Sequence, residues 1–279
     1  MTDFARLMNE YFVKYLAGQK GSGSNTMKTY RDTFVQLLEF MDEKKHIRAD
    51  CIEVDSFSYD IIKKEKGVSI STRNNRLAAI RSFFKYTGYH EPKYLNISAS
   101  IREISKKKTG GRQMNYLSVN AMEHFLNSFD KTVHKELRCF CIVLLLYESG
   151  ARVTELCNVR RYDLHLEKPY TIILHGKGDK IRSVPLDGLV ADVISNYIQK
   201  YRVDDNDFLF FNTRRERLTR EGINYIVHKY FKRARLKDAS IYPAAISAHC
   251  LRHTKAMHLL ENGVNLIYIR DLLGHTSVT

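Results

Sequence analysis

The run Ser105-Lys106-Lys107-Lys108-Thr109-Gly110-Gly111-Arg112 has no apolar residue and two glycines, so no single core can be built through it. It divides the chain into a helical domain at 1–105, a basic linker at 106–115 and a second domain at 116–279. At 279 residues the chain is long enough for two cores. The linker's charge suits a segment that follows a phosphate backbone, and its residues are equally compatible with a plain exposed tether.

Before the linker, Phe4, Leu7, Met8, Tyr11, Phe12 and Tyr15 recur at helical spacing up to a break at Gly18–Ser24. Met27, Tyr30, Phe34, Leu37, Leu38 and Met41 form a second stripe behind a Ser24/Asn25 cap. Ser69 to Tyr86 repeats the pattern, with Leu77, Ile80 and Phe84 inward and Arg73, Arg76, Arg81 and Lys85 outward, until Gly88 and Pro92 end it. This half is expected to be all helical.

Beyond the linker, Ser118 caps a helix carrying Met122, Phe125 and Leu126, and Glu136 to Tyr147 is apolar enough to be a buried helix. Tyr170–Leu174 and Ile181–Leu186 are β-branched runs around His175-Gly176-Lys177-Gly178-Asp179-Lys180, which reads as a hairpin presenting Lys177 at its tip. The Gly-Lys-Gly lacks P-loop spacing and is followed by a strand, which excludes that mode of nucleotide binding. Phe208–Asn212 is expected to be a third short strand, followed by Arg214, Arg215, Arg217 and Arg220. Helices at Thr219–Arg235, Ala248–Asn262 and Asn265–Leu273 close the chain. The fold class is mainly α with a small β-sheet (α+β).

Charge narrows the partner. There are 20 basic and 13 acidic residues up to Gly110 and 25 and 18 beyond it, so each half carries +7. A positive charge shared by both domains suits a grip on a long polyanion, and nucleic acid is the commonest. Cys51, Cys139, Cys141, Cys157 and Cys250 form an odd set without a C-x-x-C pair, which argues for a reducing compartment and against a disulfide framework. No stretch reads as a signal or membrane span, so a cytoplasmic location is expected.

Two stretches carry chemistry. In Gly150-Ala151-Arg152-Val153-Thr154-Glu155-Leu156 an arginine opens a short helix, where free N–H groups and the helix dipole add to its charge. In His249-Cys250-Leu251-Arg252-His253 an imidazole and a guanidinium three residues apart share a helix face and can converge on one oxyanion. His249 and His253 at i and i+4 lack the Glu and the third ligand of a zinc site, so no metal is expected.

Taken in order, Gly-x-Arg-x-x-Glu-Leu at 150–156, the Gly-Lys-Gly hairpin, His-x-x-Arg-His at 249–253 and Leu-Gly-His at 273–275 resemble the boxes of the tyrosine recombinases, the phage-integrase family that includes Xer-type enzymes. Arg152 precedes Arg252 by 100 residues and His275 follows by 23, spacings ordinary for that family. The resemblance implies a SAM-like helical core-binding domain followed by a tyrosine-recombinase catalytic domain. It implies DNA strand cleavage and rejoining through a 3′-phosphotyrosine at a double-stranded recombination site, with no cofactor. Arg152 and Arg252 match the phosphate-binding arginines, Lys177 the general acid, and His249 and His275 the histidines that contact phosphate or take the tyrosine proton. Glu155 and His253 match supporting positions.

The same resemblance places the nucleophilic tyrosine about nine residues beyond the last histidine, whereas Thr279 is the last residue here. The expectation is a chain that holds DNA and arranges a phosphate without cleaving it: a recombinase truncated before its tyrosine or, alternatively, a non-catalytic DNA-binding accessory or decoy. A tetrameric synapse is implied for the complete protein and is not implied for a chain without its terminal segment. The two domains are expected to clamp DNA, with Arg73, Arg76, Lys106, Lys107, Lys108, Arg214, Arg215, Arg217 and Arg220 facing it.

Overall fold

In the computed structural model, residues 2–21, 23–48, 51–57, 68–108, 110, 115–176, 178 and 180–274 are described. Lys177 and His275 therefore lie outside the described residues. The chain divides into two compact units, Met1–Arg112 and Gln113–Thr279. Among the described residues no helix is long and apolar enough to cross a membrane.

The first unit contains α1 (Asp3–Glu10), continued by a π-helical stretch Tyr11–Gln19, then α2 (Ser24–Lys45), α3 (Ile70–His90) and α4 (Leu95–Glu103). Its core is aromatic. Phe83 lies at the centre, with ring centroids 5.6 Å from Phe4, 5.4 Å from Tyr11, 5.3 Å from Phe34 and 5.3 Å from Phe84. Helix α3 runs past Gly88 to His90, further than expected from the glycine. A Cβ at Gly88 would stand 2.7 Å from Ser98 Cβ on α4, so the glycine serves close packing of two helices and does not stop one.

The outward placement of Arg73 is corrected by the structure. Arg73 is 6% exposed and donates from Nη1 to the Ser105 carbonyl at 3.3 Å. It precedes Leu77 by one helical turn and so lies on the apolar stripe. Arg81 likewise bonds the Arg102 and Ile104 carbonyls, and Asn74 pairs with both backbone groups of Lys107. The basic run is therefore docked on α3 through Lys107, and Lys106, Lys107 and Lys108 remain exposed.

The second unit packs α5 (Val119–Asn127), α6 (His134–Glu148), α7 (Val153–Asn158), α8 (Gly188–Tyr201), α9 (Arg220–Lys237), α10 (Ala248–Glu261) and α11 (Leu266–Leu273) around a continuous apolar core. Every residue from Cys139 to Leu146 on α6 is buried, which makes it the central helix. A three-stranded antiparallel sheet covers one side: β1 (Leu164–His165), β2 (Thr171–His175) and β3 (Ile181–Pro185). Its register pairs Leu174 with Arg182 and His175 with Ile181, so the two strands expected on either side of the turn are paired.

One expectation fails here. Phe208–Asn212 is not a strand of this sheet; it makes isolated bridges, Arg160 with Phe208 and Phe211 with Arg217, while Leu209, Phe210 and Phe211 fill the core. A continuous apolar run fits a buried connection as well as a strand. On α11, Tyr268 is 50% exposed, and Ile269 and Leu273 are the buried residues.

Candidate phosphate-binding site

The site begins with a glycine. Gly150 ends the α6 connection at φ +57, and a Cβ there would stand 2.7 Å from Leu273 Cδ2, so both conformation and space demand glycine. The chain then turns to put Arg152 at the N-cap of α7, where Glu155 Oε2 accepts from the Arg152 amide at 2.8 Å. Glu155 Oε1 accepts from Arg152 Nη1 at 2.7 Å, and Arg152 Nη2 donates to the Gly274 carbonyl at 3.1 Å.

Helix α10 brings the second arginine. Ser247 caps it, and Arg252, only 3% exposed, donates from Nη1 to the Gly150 carbonyl at 2.6 Å and from Nη2 to the Leu273 carbonyl at 2.5 Å. The two guanidiniums thus reach successive carbonyls at the C-terminal end of α11, directly before His275 in sequence. Burial pushes the Arg252 guanidinium down to about 10, with repulsion from Arg152 adding to this and Glu155 opposing it. It remains charged at pH 7.

One arginine in this cluster was missed by sequence reasoning. Arg182 on β3 forms a bidentate pair with Glu155, Nη1 to Oε1 at 3.0 Å and Nη2 to Oε2 at 2.7 Å, and donates from Nε to the Leu272 carbonyl at 2.9 Å. The Glu155 carboxylate consequently accepts from two arginine side chains and one backbone amide. Burial pushes its carboxyl up, but the bonds from Arg182 and from the Arg152 amide and side chain outweigh this and hold it below the usual carboxylate range. Arg152 and Arg182 bond this carboxylate and Arg252 lies within electrostatic reach of it, so the described cluster has two positive charges in excess, with Arg252 and Arg182 buried deepest and Arg152 partly exposed.

This cluster borders a cleft of about 320 Å³ lined by Ala151, Arg152, Val153, Thr154, Arg220, Asn224, Ser247 and His249. Burial, with repulsion from Arg252, His253 and Arg152, lowers the affinity of His249 for a proton. Its imidazole is expected to titrate below the ordinary value of about 6.5 and to be neutral at pH 7. A histidine-labelled NMR titration checks this, and a midpoint at or above 6.5 would contradict it. His253 faces Tyr116, with ring centroids 6.0 Å apart and perpendicular planes. The same helix is fastened to residues 115–117: Cys250 Sγ to the Asn115 carbonyl, the Leu117 amide to Thr254 Oγ1 and His258 Nε2 to the Leu117 carbonyl.

The other basic residues separate by surroundings. Arg220 is exposed and lines the cleft. Arg215 lies over the Phe211 ring and pairs with Asp207, Arg217 bonds Asn158, and Arg214 is exposed in the same turn. Arg76 is half-buried.

The model of the phage integrase family matches residues 115–279, and that of the phage integrase N-terminal SAM-like domain matches residues 10–88. The chain belongs to the phage integrase family. It is 30% identical to a putative integrase/recombinase y4rC of Sinorhizobium fredii, over 98% of this chain and 85% of that protein. It is 30% identical to tyrosine recombinase XerD of Listeria monocytogenes, over 97% and 90%, and 31% identical to XerA of Pyrococcus furiosus, over 97% and 86%. Among solved structures, the XerH site-specific recombinase bound to a palindromic difH substrate matches with a TM-score of 0.71 at 22% identity, covering 98% of this chain and 82% of that one. The Tn1549 transposon integrase in complex with transposon right end DNA matches at 0.75 and 19%, covering 100% and 92%. These two likenesses show the fold: a mainly helical chain with a small antiparallel sheet, a SAM-like domain and an integrase catalytic domain.

Proposed function

We propose that this tyrosine recombinase is a site-specific DNA recombinase or integrase that holds a DNA phosphodiester between Arg152 and Arg252 for strand cleavage and rejoining through a 3′-phosphotyrosine. The observation that carries the reading is the excess of two positive charges in one arginine cluster whose Arg152 lines the cleft beside His249. A pentacoordinate phosphorane bears about two negative charges on its non-bridging oxygens, and preformed guanidinium donors match it. Each guanidinium has five N–H donors. Arg152 and Arg252 each spend two on the bonds given above, which fix their planes and leave the rest for oxygen. His249, neutral at pH 7, supplies a hydrogen bond to phosphate. Lys177 is assigned the proton for the leaving 5′-oxygen and His275 a contact to phosphate or tyrosine. Glu155 orients arginines and takes no part in proton transfer. Lys106, Lys107, Lys108, Arg76, Arg214, Arg215, Arg217 and Arg220 are assigned to the DNA backbone.

Residues 276–279 are Thr-Ser-Val-Thr, so a polypeptide of these 279 residues carries no tyrosine at the family's position. Such a polypeptide is expected to bind duplex with an affinity whose logarithm falls with log salt at about −0.9 per phosphate contacted, and to leave no covalent adduct. Binding assays from low to high salt, with denaturing gels on a nicked duplex, check both. Salt-independent binding would contradict the phosphate grip. An adduct would assign the nucleophile to a tyrosine within the 279 residues.

A further inference from the structure

We infer that Arg182 is the positioning residue of this site, tying the Arg152 box, the base of the Lys177 hairpin and the box that precedes His275 to one guanidinium. The inference rests on the phosphate-binding reading above. It names a residue that touches none of the reacting atoms and acts through three neighbours.

The first neighbour is Glu155. Arg182 bonds both oxygens of the carboxylate and Arg152 Nη1 shares Oε1 with it, so Arg152 is oriented by a carboxylate whose own plane is set by Arg182. A bidentate fork fixes two rotational degrees of freedom that a single ion contact leaves loose. The second is the end of α11. Arg182 Nε holds the Leu272 carbonyl, and Arg252 and Arg152 hold the next two, Leu273 and Gly274. Gly274 is left-handed at φ +64, and a Cβ there would stand 3.1 Å from Arg182 Nη1 and 3.3 Å from its Cδ. The backbone therefore lies directly against the Arg182 side chain.

The third neighbour is the hairpin. Gly176, the residue before Lys177, approaches the same ion pair: a Cβ there would stand 3.3 Å from Glu155 Oε1 and 3.9 Å from Arg182 Nη1. Arg182 itself lies on β3, opposite Leu174 on β2, so it is anchored in the sheet from which the hairpin projects. Its side chain is 12% exposed, and the fork and Nε are all engaged. Arg182 thus spends three of its five N–H groups within the protein, one more than Arg152 or Arg252 spends on the bonds given above. Its work is to hold in register three segments that come from distant parts of the chain.

The probe is inorganic phosphate, read at His249. In the 279-residue chain with labelled histidines, phosphate is expected to shift the His249 resonance saturably and to raise its titration midpoint, because an anion beside the imidazole favours its charged form. Arg182→Met is expected to weaken phosphate at His249 roughly tenfold or more, as losses of outer partners do at other ion sites. The change in His249 titration should shrink with it, while the resonances of His134 and His90 stay in place. Arg182→Lys keeps the charge but cannot bond two carboxylate oxygens and a carbonyl in one plane, so it is expected to fail as well. It serves as the folded variant if the methionine chain does not fold.

A merely structural role would lower the unfolding temperature and leave the phosphate affinity at His249 as it was in whichever variant folds. That outcome overturns the inference alone. If phosphate does not perturb His249 in the unsubstituted chain, the phosphate-binding reading is overturned, and this inference with it.

Discussion

Glu155→Ala is expected to destabilise the C-terminal unit by about 3 to 5 kcal/mol, because it removes the buried carboxylate that Arg152 and Arg182 share, next to the buried Arg252. Glu155 is 3% exposed and bonds Arg152 and Arg182 at 2.7 to 3.0 Å, so both arginines lose their shared acceptor when it goes. Glu155→Gln keeps the shape but turns an amide N–H₂ toward arginine donors, and should recover only part of the loss. The same carboxylate gives an acid limb to stability. Its folded-state affinity for a proton lies below the usual range, so its contribution is fully present above the unfolded value of about 4.3 and is lost as pH falls through the folded one. Denaturant unfolding at pH 7 and at descending pH checks both parts. A Glu155→Ala loss under 1 kcal/mol, or an acid limb that persists in Glu155→Ala with its slope unchanged, would show the cluster to be solvated.

Much of this site could be read from spacing alone, for physical reasons that also mark the limit of the reading. Arg152 and Arg252 announce themselves because each sits where a helix begins or where a histidine precedes by one turn, and both patterns are local. Arg182 is invisible by the same logic. In Ile181-Arg182-Ser183-Val184 it looks like a solvent-facing strand residue, and its partner Glu155 is 27 residues away across a change of secondary structure. Arg73 is the opposite case. It sits four residues before Leu77 and seven before Ile80, on the apolar stripe itself, so the helical period already marked it as inward. Its charge argued for solvent, and the Ser105 carbonyl overrides that argument. Helix α8 went unnamed although Asp187 caps it and Val190, Ala191, Ile194 and Tyr197 make its buried stripe. The two-residue β1 is too short for any periodicity to show.

Arg252→Ala is expected to cost strand cleavage about 10²- to 10³-fold, equivalent to about 3 to 4 kcal/mol of transition-state stabilisation. The assay requires a polypeptide extended past Thr279 so that a tyrosine stands about nine residues after His275, because a phosphate-binding cluster cannot replace a tethered nucleophile. Ground-state affinity for duplex should change far less, since many backbone phosphates share it and the scissile phosphate contributes one. Arg252→Lys should not rescue cleavage. An ammonium lacks the planar fork that bonds the Gly150 and Leu273 carbonyls while still facing an oxygen, and those carbonyls at 2.6 and 2.5 Å fix where the guanidinium points. Arg152→Ala should give a loss of the same order, and the double variant less than the product of the two, because both arginines meet at the same α11 terminus and serve the same oxygens. Rates measured below the unfolding temperature of each variant separate chemistry from the stability lost with the two carbonyl bonds. Cleavage by Arg252→Ala within a few-fold of the unsubstituted enzyme would mean that the phosphate lies elsewhere, and the excess charge of the cluster would then serve the fold alone.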